Sequence, residues 1–170
     1  LRRQRQMCIR DRCRSYDLLH WEAKEPFYNP ESYMTHECPD LFKLGNKWYL
    51  VYSTFSEKFV THYRMSDKLS GPWTSPIEDT FDGRAFYAAK TAQVGDKRMA
   101  FAWVPTKRGE SDFGQYEWGG NFIAHEINQT TDNKLTVKPA EGLINMFNNE
   151  FVNEKLNKVE IENYEGEKSY

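Results

Sequence analysis

With 170 residues the chain can bury one substantial core, and no apolar run in it approaches the length needed to span a bilayer. Aromatic residues make up 15% of the chain and hydrophobic residues 39%. The formal charge of −2 is uneven: residues 1–14 hold six arginines against Asp11, a net +5, so the rest sits at −7, which argues against a nucleic-acid surface in the body of the protein.

The opening LRRQRQMCIRDRCR has the charge of a basic arm for nucleic acid or anionic lipid, but it lacks the apolar stretch of a signal peptide. MCIRDR resembles the peptide read from sequencing-adapter DNA at the end of a fragmentary read, so residues 1–13 are expected to be a non-native leader. Setting Cys8 and Cys13 aside leaves Cys38 alone, and no disulfide framework is available. The compartment is not legible; with no export signal in view and the true N-terminus expected to be missing, the cytoplasm is the default expectation.

Two hairpins follow. Asp40–Leu44 and Lys47–Thr54 flank Gly45-Asn46, and Ala88–Val94 and Lys97–Val104 flank Gly95-Asp96, in each case a two-residue turn between strand-like runs. The turns lie 50 residues apart, and the same period links Asp17-Leu18 followed by Trp21 to Asp67-Lys68-Leu69 followed by Trp73. Each of the latter pair ends a strand in a Ser and Asp turn, then supplies a Trp expected to pack on the neighbouring sheet. A period of this length leaves room for about four short strands, the pattern of a β-propeller blade. A β-sandwich with coincidental spacing is the alternative, and the absence of helical periodicity makes the chain all-β on either reading.

A third hairpin is predicted from Asn121–Ile127, the loop Asn128–Asn133, and Lys134–Lys138. After Pro139 the composition shifts toward Asn, Glu and Lys, with Val159 and Ile161 alternating as in a strand. Residues 145–170 are therefore expected to open a second domain that is cut off at Tyr170, leaving 14–144 as the main unit.

Glu37 stands two residues before Pro39, whose ring biases Cys38 toward extended geometry, and just ahead of an aromatic strand. The first strand of a propeller blade lines the central channel, so a carboxyl at its start faces the funnel mouth. Ringed by Trp and Tyr faces, such a group is desolvated and able to hold a proton near neutral pH. Those are the requirements of a general acid that protonates a departing glycosidic oxygen. The plainer alternative is a Glu that bonds a turn or pairs with His36.

Glu37-Cys38-Pro39-Asp40 with Leu41-Phe42 resembles the ECPD motif of glycoside hydrolase family 32, the β-fructosidases that include invertases, levanases and sucrose-6-phosphate hydrolases. Ser15-x-Asp17-Leu18-x-His20-Trp21 is similar to the family's S-x-D-L-x-x-W segment. Asp82 through Thr91 (DGRAFYAAKT) resembles its D-x-x-x-FYA-x-x-T segment, and Ala102-Trp103 its G-W position. Trp118-Gly119-Gly120 through Glu126-Ile127 resembles its W-G-G segment leading to P-R-E-L, with Ala124-His125 in place of Pro-Arg. Order and spacing agree over residues 14–145.

The resemblance implies a five-bladed propeller followed by a β-sandwich, of which this chain would hold two to three blades and the sandwich's beginning. It implies retaining hydrolysis of terminal β-fructofuranosyl linkages, with Glu37 as acid/base and an Asp nucleophile about 5–5.5 Å away. Neither the family's nucleophile motif nor its R-D-P motif occurs here, so the chain alone is expected to be inactive. The resemblance also implies that Tyr87, Trp103, Asp82, Arg84 and Trp118 border the sugar. Each has a plainer alternative: core packing for Tyr87 and Trp103, a loop ion pair between Asp82 and Arg84, and packing on Gly119-Gly120 for Trp118. No cofactor, metal, nucleic acid or membrane is called for, and the expected partner is sucrose or a fructo-oligosaccharide. Two rivals stay open: an arabinanase or xylosidase-type glycosidase, suggested by Gly71-Pro72-Trp73, and a propeller that binds glycan without catalysis. The exact fructoside and the oligomeric state are not legible.

Overall fold

The computed structural model describes residues 12–30, 35–55, 59–111 and 113–147. They form three antiparallel sheets laid down in chain order. The first is a two-stranded ribbon of β1 (Arg12–Arg14) and β2 (Glu22–Lys24). The next contains β3 (Glu37–Leu44), β4 (Lys47–Thr54) and β5 (Val60–Ser66). The last contains β6 (Tyr87–Val94), β7 (Lys97–Lys107), β8 (Tyr116–Gln129) and β9 (Leu135–Pro139). Thr74 and Thr80 form isolated bridges to Met65 and His62, so an irregular fourth edge runs beside β5. The two helical pieces are single turns, Arg108–Glu110 and Glu141–Ile144.

The fifty-residue period is a period of structure. The β3–β4 register runs Glu37↔Ser53, Asp40↔Val51, Leu41↔Leu50, Phe42↔Tyr49, Lys43↔Trp48 and Leu44↔Lys47. Adding 50 to every number gives the β6–β7 register, from Tyr87↔Trp103 to Val94↔Lys97. The echo extends to the irregularities. Each first strand carries a bulge at the same place, with Cys38 at φ 52° and Ala88 at φ 56°, and each turn is opened by a glycine in the left-handed region, Gly45 at 58° and Gly95 at 62°. These are repeated sheets of a β-propeller.

The core lies between the second and third sheets. Phe42, Tyr49, Val51 and Tyr63 project from the second sheet onto Ala89, Ala100, Ala102, Ile127 and Leu135 of the third. The small alanines leave room for the large rings, so the layers interdigitate. The buried phenols find partners: Tyr49 donates to the Asn133 carbonyl at 2.7 Å, and the Tyr63 oxygen accepts from the Leu135 amide at 3.2 Å. Every residue from Tyr49 to Thr54 is buried, because β4 is covered on both faces; Tyr52 turns the other way, against His36 and Tyr28.

Some expectations need amendment. Trp21 does not pack on a sheet but stands 60% exposed, its indole N–H donating to the Leu18 carbonyl at 3.3 Å. The serine turns do form, with the Ser15 hydroxyl accepting from Leu18 N and that of Ser66 from Lys68 N. The strand expected from Asn121 begins at Tyr116. Arg12 and Cys13, assigned to the leader from sequence, pair with Lys24 and Ala23 in the ribbon. The expected opening of a second domain falls largely on residues 148–170, outside the described residues. No described helix is long and apolar enough to cross a membrane.

Candidate active site

The bulges set the site. Glu37 and Tyr87 are the first residues of β3 and β6, the leading strands of consecutive sheets, and each precedes a bulge that turns its strand. The Tyr87 hydroxyl donates to Glu37 Oε2 at 2.5 Å. No hydrogen bond to Oε1 is found among the described residues. Burial first, and then the hydrogen bond and charge of Glu37, push the Tyr87 phenol far above its ordinary range. The phenol is therefore the donor of this pair at neutral pH.

Around this pair the chain assembles a cluster of rings. Phe59 stacks on Tyr87 at 4.1 Å between centroids and on Tyr116 at 5.8 Å. Trp103 meets Tyr87 edge-on at 5.7 Å, as its register partner across β6–β7 requires. Trp118 lies 5.5 Å from Phe59 and 5.8 Å from both Tyr87 and Trp103, yet stays 68% exposed. It forms the solvent side of the cluster. Phe55 approaches it edge-on at 6.1 Å.

Charge is arranged at the rim. The Arg84 guanidinium lies over the Tyr116 ring at 5.2 Å, and Lys107 lies over the same ring at 5.5 Å. Asp82 does not pair with Arg84: its Oδ2 meets His125 Nε2 at 2.9 Å, while its other oxygen accepts from the Gly83 amide at 2.6 Å. His125 in turn stacks on Phe86 at 5.2 Å. Among the described residues no cluster of three or more His, Cys, Asp or Glu has the arrangement to hold a metal ion.

Of the six residues singled out from sequence, Tyr87 meets Glu37, Trp103 and Trp118, Arg84 joins through Tyr116, and Asp82 stands aside with His125. Sequence reasoning missed Phe59 and Tyr116. Phe59 sits just before β5 and Tyr116 opens a strand that carries no alternation, so neither has a periodic signal.

The ECPD segment also ties the sheets together. Asp40 Oδ2 accepts from the Thr91 amide at 2.6 Å, and Lys90 Nζ donates to the Pro39 carbonyl at 2.6 Å. The peptide that positions Glu37 is thus fastened to the strand that positions Tyr87.

Stacked fifty-residue sheets with their leading strands side by side define part of a β-propeller domain. Residues 12–139 match the family model described as glycosyl hydrolases family 32 N-terminal domain, and the chain belongs to that family. Among solved structures, a point mutant of the GH43 protein BlXynB from Bacillus licheniformis shares 12% identity over 69% of this chain and 24% of its own, with a TM-score of 0.54. The GH43 BlXynB protein itself gives 14% identity over 70% of this chain and 25% of its own, with a TM-score of 0.51. Such likenesses carry the fold, a partial five-bladed propeller, and the chain spans about a quarter of the length of these structures.

Proposed function

We propose that this chain is the part of a retaining β-fructofuranosidase that supplies the acid/base carboxyl. The observation that carries the reading is the 2.5 Å hydrogen bond to Glu37 Oε2 from Tyr87, whose ring packs with Phe59, Trp103 and Trp118. One carboxyl oxygen is held by Tyr87; the other is the one that would carry the proton. In the first step the Glu37 carboxyl protonates the leaving oxygen of a terminal fructosyl unit, and in the second the carboxylate takes a proton from water. Trp103 and Trp118 offer flat apolar faces to a sugar ring, and Arg84 lies where it can reach hydroxyls at the rim. Asp82, held by His125, acts through the 82–86 loop that leads into Tyr87.

The nucleophile motif and the R-D-P motif, whose carboxylate would hold sugar hydroxyls, do not occur in this sequence, so the 170 residues by themselves are expected not to turn over. Residues 12–144 would form the propeller part, with the leader ending at Asp11, and 145–170 the approach to a β-sandwich.

The test is a substrate screen on the full-length protein. Sucrose, sucrose 6-phosphate, inulin and levan are offered beside aryl xyloside and arabinan, and the anomer released first is read by NMR. Fructose released with retained β configuration is expected from at least one fructoside. Turnover of the pentosides alone transfers the site to the arabinanase or xylosidase type. Saturable sugar binding with no hydrolysis of any substrate makes it a binding module.

A further inference from the structure

We propose that Ser53 and Thr61 are positioning residues for the Glu37–Tyr87 pair, a two-hydroxyl clasp on the second sheet that grips the peptide groups on both sides of Tyr87. The inference rests on the reading of Glu37 as the acid/base.

Both side chains are fully buried, at 0% and 1% exposure. Ser53 is the register partner of Glu37 across β3–β4, and Thr61 is the register partner of Ser53 across β4–β5. Glu37, Ser53 and Thr61 therefore form one row across the sheet. The row continues into the next sheet. Ser53 Oγ accepts from the Ala88 amide at 3.0 Å, and Thr61 Oγ1 donates to the Phe86 carbonyl at 2.9 Å.

Proton counting fixes the rest. A carbonyl can only accept, so the single Thr61 hydrogen is committed to Phe86. The 2.9 Å contact between the two hydroxyls must then run from Ser53 to Thr61. The chain is directed: Ala88 N–H to Ser53, Ser53 to Thr61, Thr61 to Phe86 C=O. It begins one residue after Tyr87 and ends one residue before it. The β6 bulge is what makes this possible, because the register jumps from Tyr87 to Lys90 and takes Ala88 out of the ladder.

The hairpin itself does not demand a hydroxyl at this place. Fifty residues on, the same register position in the third sheet is filled by Trp103, and the hairpin closes equally well around it. What differs is the task. Ser53 faces the leading strand of the next sheet, and the peptide it holds carries the phenol that reaches Glu37.

The test uses the full-length protein with Ser53→Ala, Thr61→Val and Thr61→Ser. Thr61→Val keeps the shape without the hydroxyl, and Thr61→Ser keeps the hydroxyl without the methyl. Ser53→Ala and Thr61→Val are expected to lower kcat on sucrose about tenfold or more, with KM little changed and a smaller loss on an aryl fructoside that has a good leaving group. Thr61→Ser restores the ratio between the two substrates. A role confined to stability would scale both substrates alike, so folded variants with an unchanged ratio overturn the proposal. A second measurement does not depend on turnover. NMR comparison with Tyr87→Phe identifies the Tyr87 phenol proton, which is expected to move upfield in Thr61→Val relative to the wild type as its bond to Glu37 lengthens. An unmoved phenol overturns the clasp. A moved phenol in a protein that hydrolyses no fructoside leaves the clasp standing and removes the fructosidase reading.

Discussion

Replacing Tyr87 with Phe deletes one oxygen from the site and leaves the ring stack in place. The lost hydrogen bond is one to a carboxyl group, the kind worth about 1.5–3 kcal/mol. If that bond orients Glu37, Tyr87→Phe in the full-length protein lowers kcat on its fructoside by about tenfold to a hundredfold, with KM within a few-fold of wild type. A loss confined to KM would show that the phenol contacts the sugar and does not position the acid. Glu37 was singled out by the likeness of Glu37-Cys38-Pro39-Asp40 to a family motif, since the proline and the aromatic strand by themselves left a structural role open. Tyr87 was legible because it stands fifty residues after Glu37. Phe59 and Tyr116 were not, since they enter the cluster through tertiary packing from segments without alternation. For Asp82 the sequence offered Arg84 as a partner only because the two are neighbours in the chain; the structure brings in His125 from β8, 43 residues away.

The hairpins were the most legible elements, and the reason is local chemistry. A two-residue turn that needs positive φ leaves a glycine in the sequence, and Gly45 and Gly95 sit at φ 58° and 62°. The two turns differ in their surroundings. A Cβ on Gly95 would meet open space, whereas one on Gly45 would strike Oε1 of Gln129, whose side chain bonds the Leu44 carbonyl and the Tyr49 hydroxyl. Gly95→Ala is expected to cost about 1–2 kcal/mol from backbone strain alone. Gly45→Ala should cost more than that, because Gln129 must also give way; chemical denaturation of the two variants makes the comparison, and equal losses would contradict it. The start of β8 was illegible for a related reason. Gly119-Gly120 reads as a turn, yet Gly120 lies within the strand because β8 passes so close to β7 there that a Cβ would run into the Val104 carbonyl. The same close approach brings Trp118 to the ring cluster.

A propeller needs each sheet covered on both faces, and this explains where the buried charge lies. On the face of the second sheet away from the core, Arg64 donates to Asp79 at 2.5 Å and to the Tyr28 hydroxyl at 2.9 Å, while His62 meets Asp79 at 3.1 Å. Burial pushes the Asp79 carboxyl up, but the hydrogen bonds and charges of His62 and Arg64 outweigh it and hold the group below the ordinary range. A carboxyl depressed in the fold contributes stability above its unfolded value, and that stability is lost as pH falls through the lower folded value. Stability should therefore decline below about pH 4. Asp79→Asn should flatten that acid limb and cost about 1–3 kcal/mol at neutral pH, since Arg64 is left buried without its carboxylate. An acid limb of unchanged steepness would show that other groups set it. The family, the all-β class and the repeat were readable from sequence, but this network was not. Its hydrogen-bonded partners are 15 to 36 residues apart and belong to no motif.

The central claim is that Glu37 delivers a proton to the leaving oxygen. It is tested most directly by Glu37→Gln in the full-length protein, assayed in parallel on sucrose and on an aryl fructoside whose leaving group needs no protonation. The account predicts a fall of about a hundredfold to ten-thousandfold on sucrose and a far smaller one on the activated substrate. Equal losses on the two substrates would contradict it.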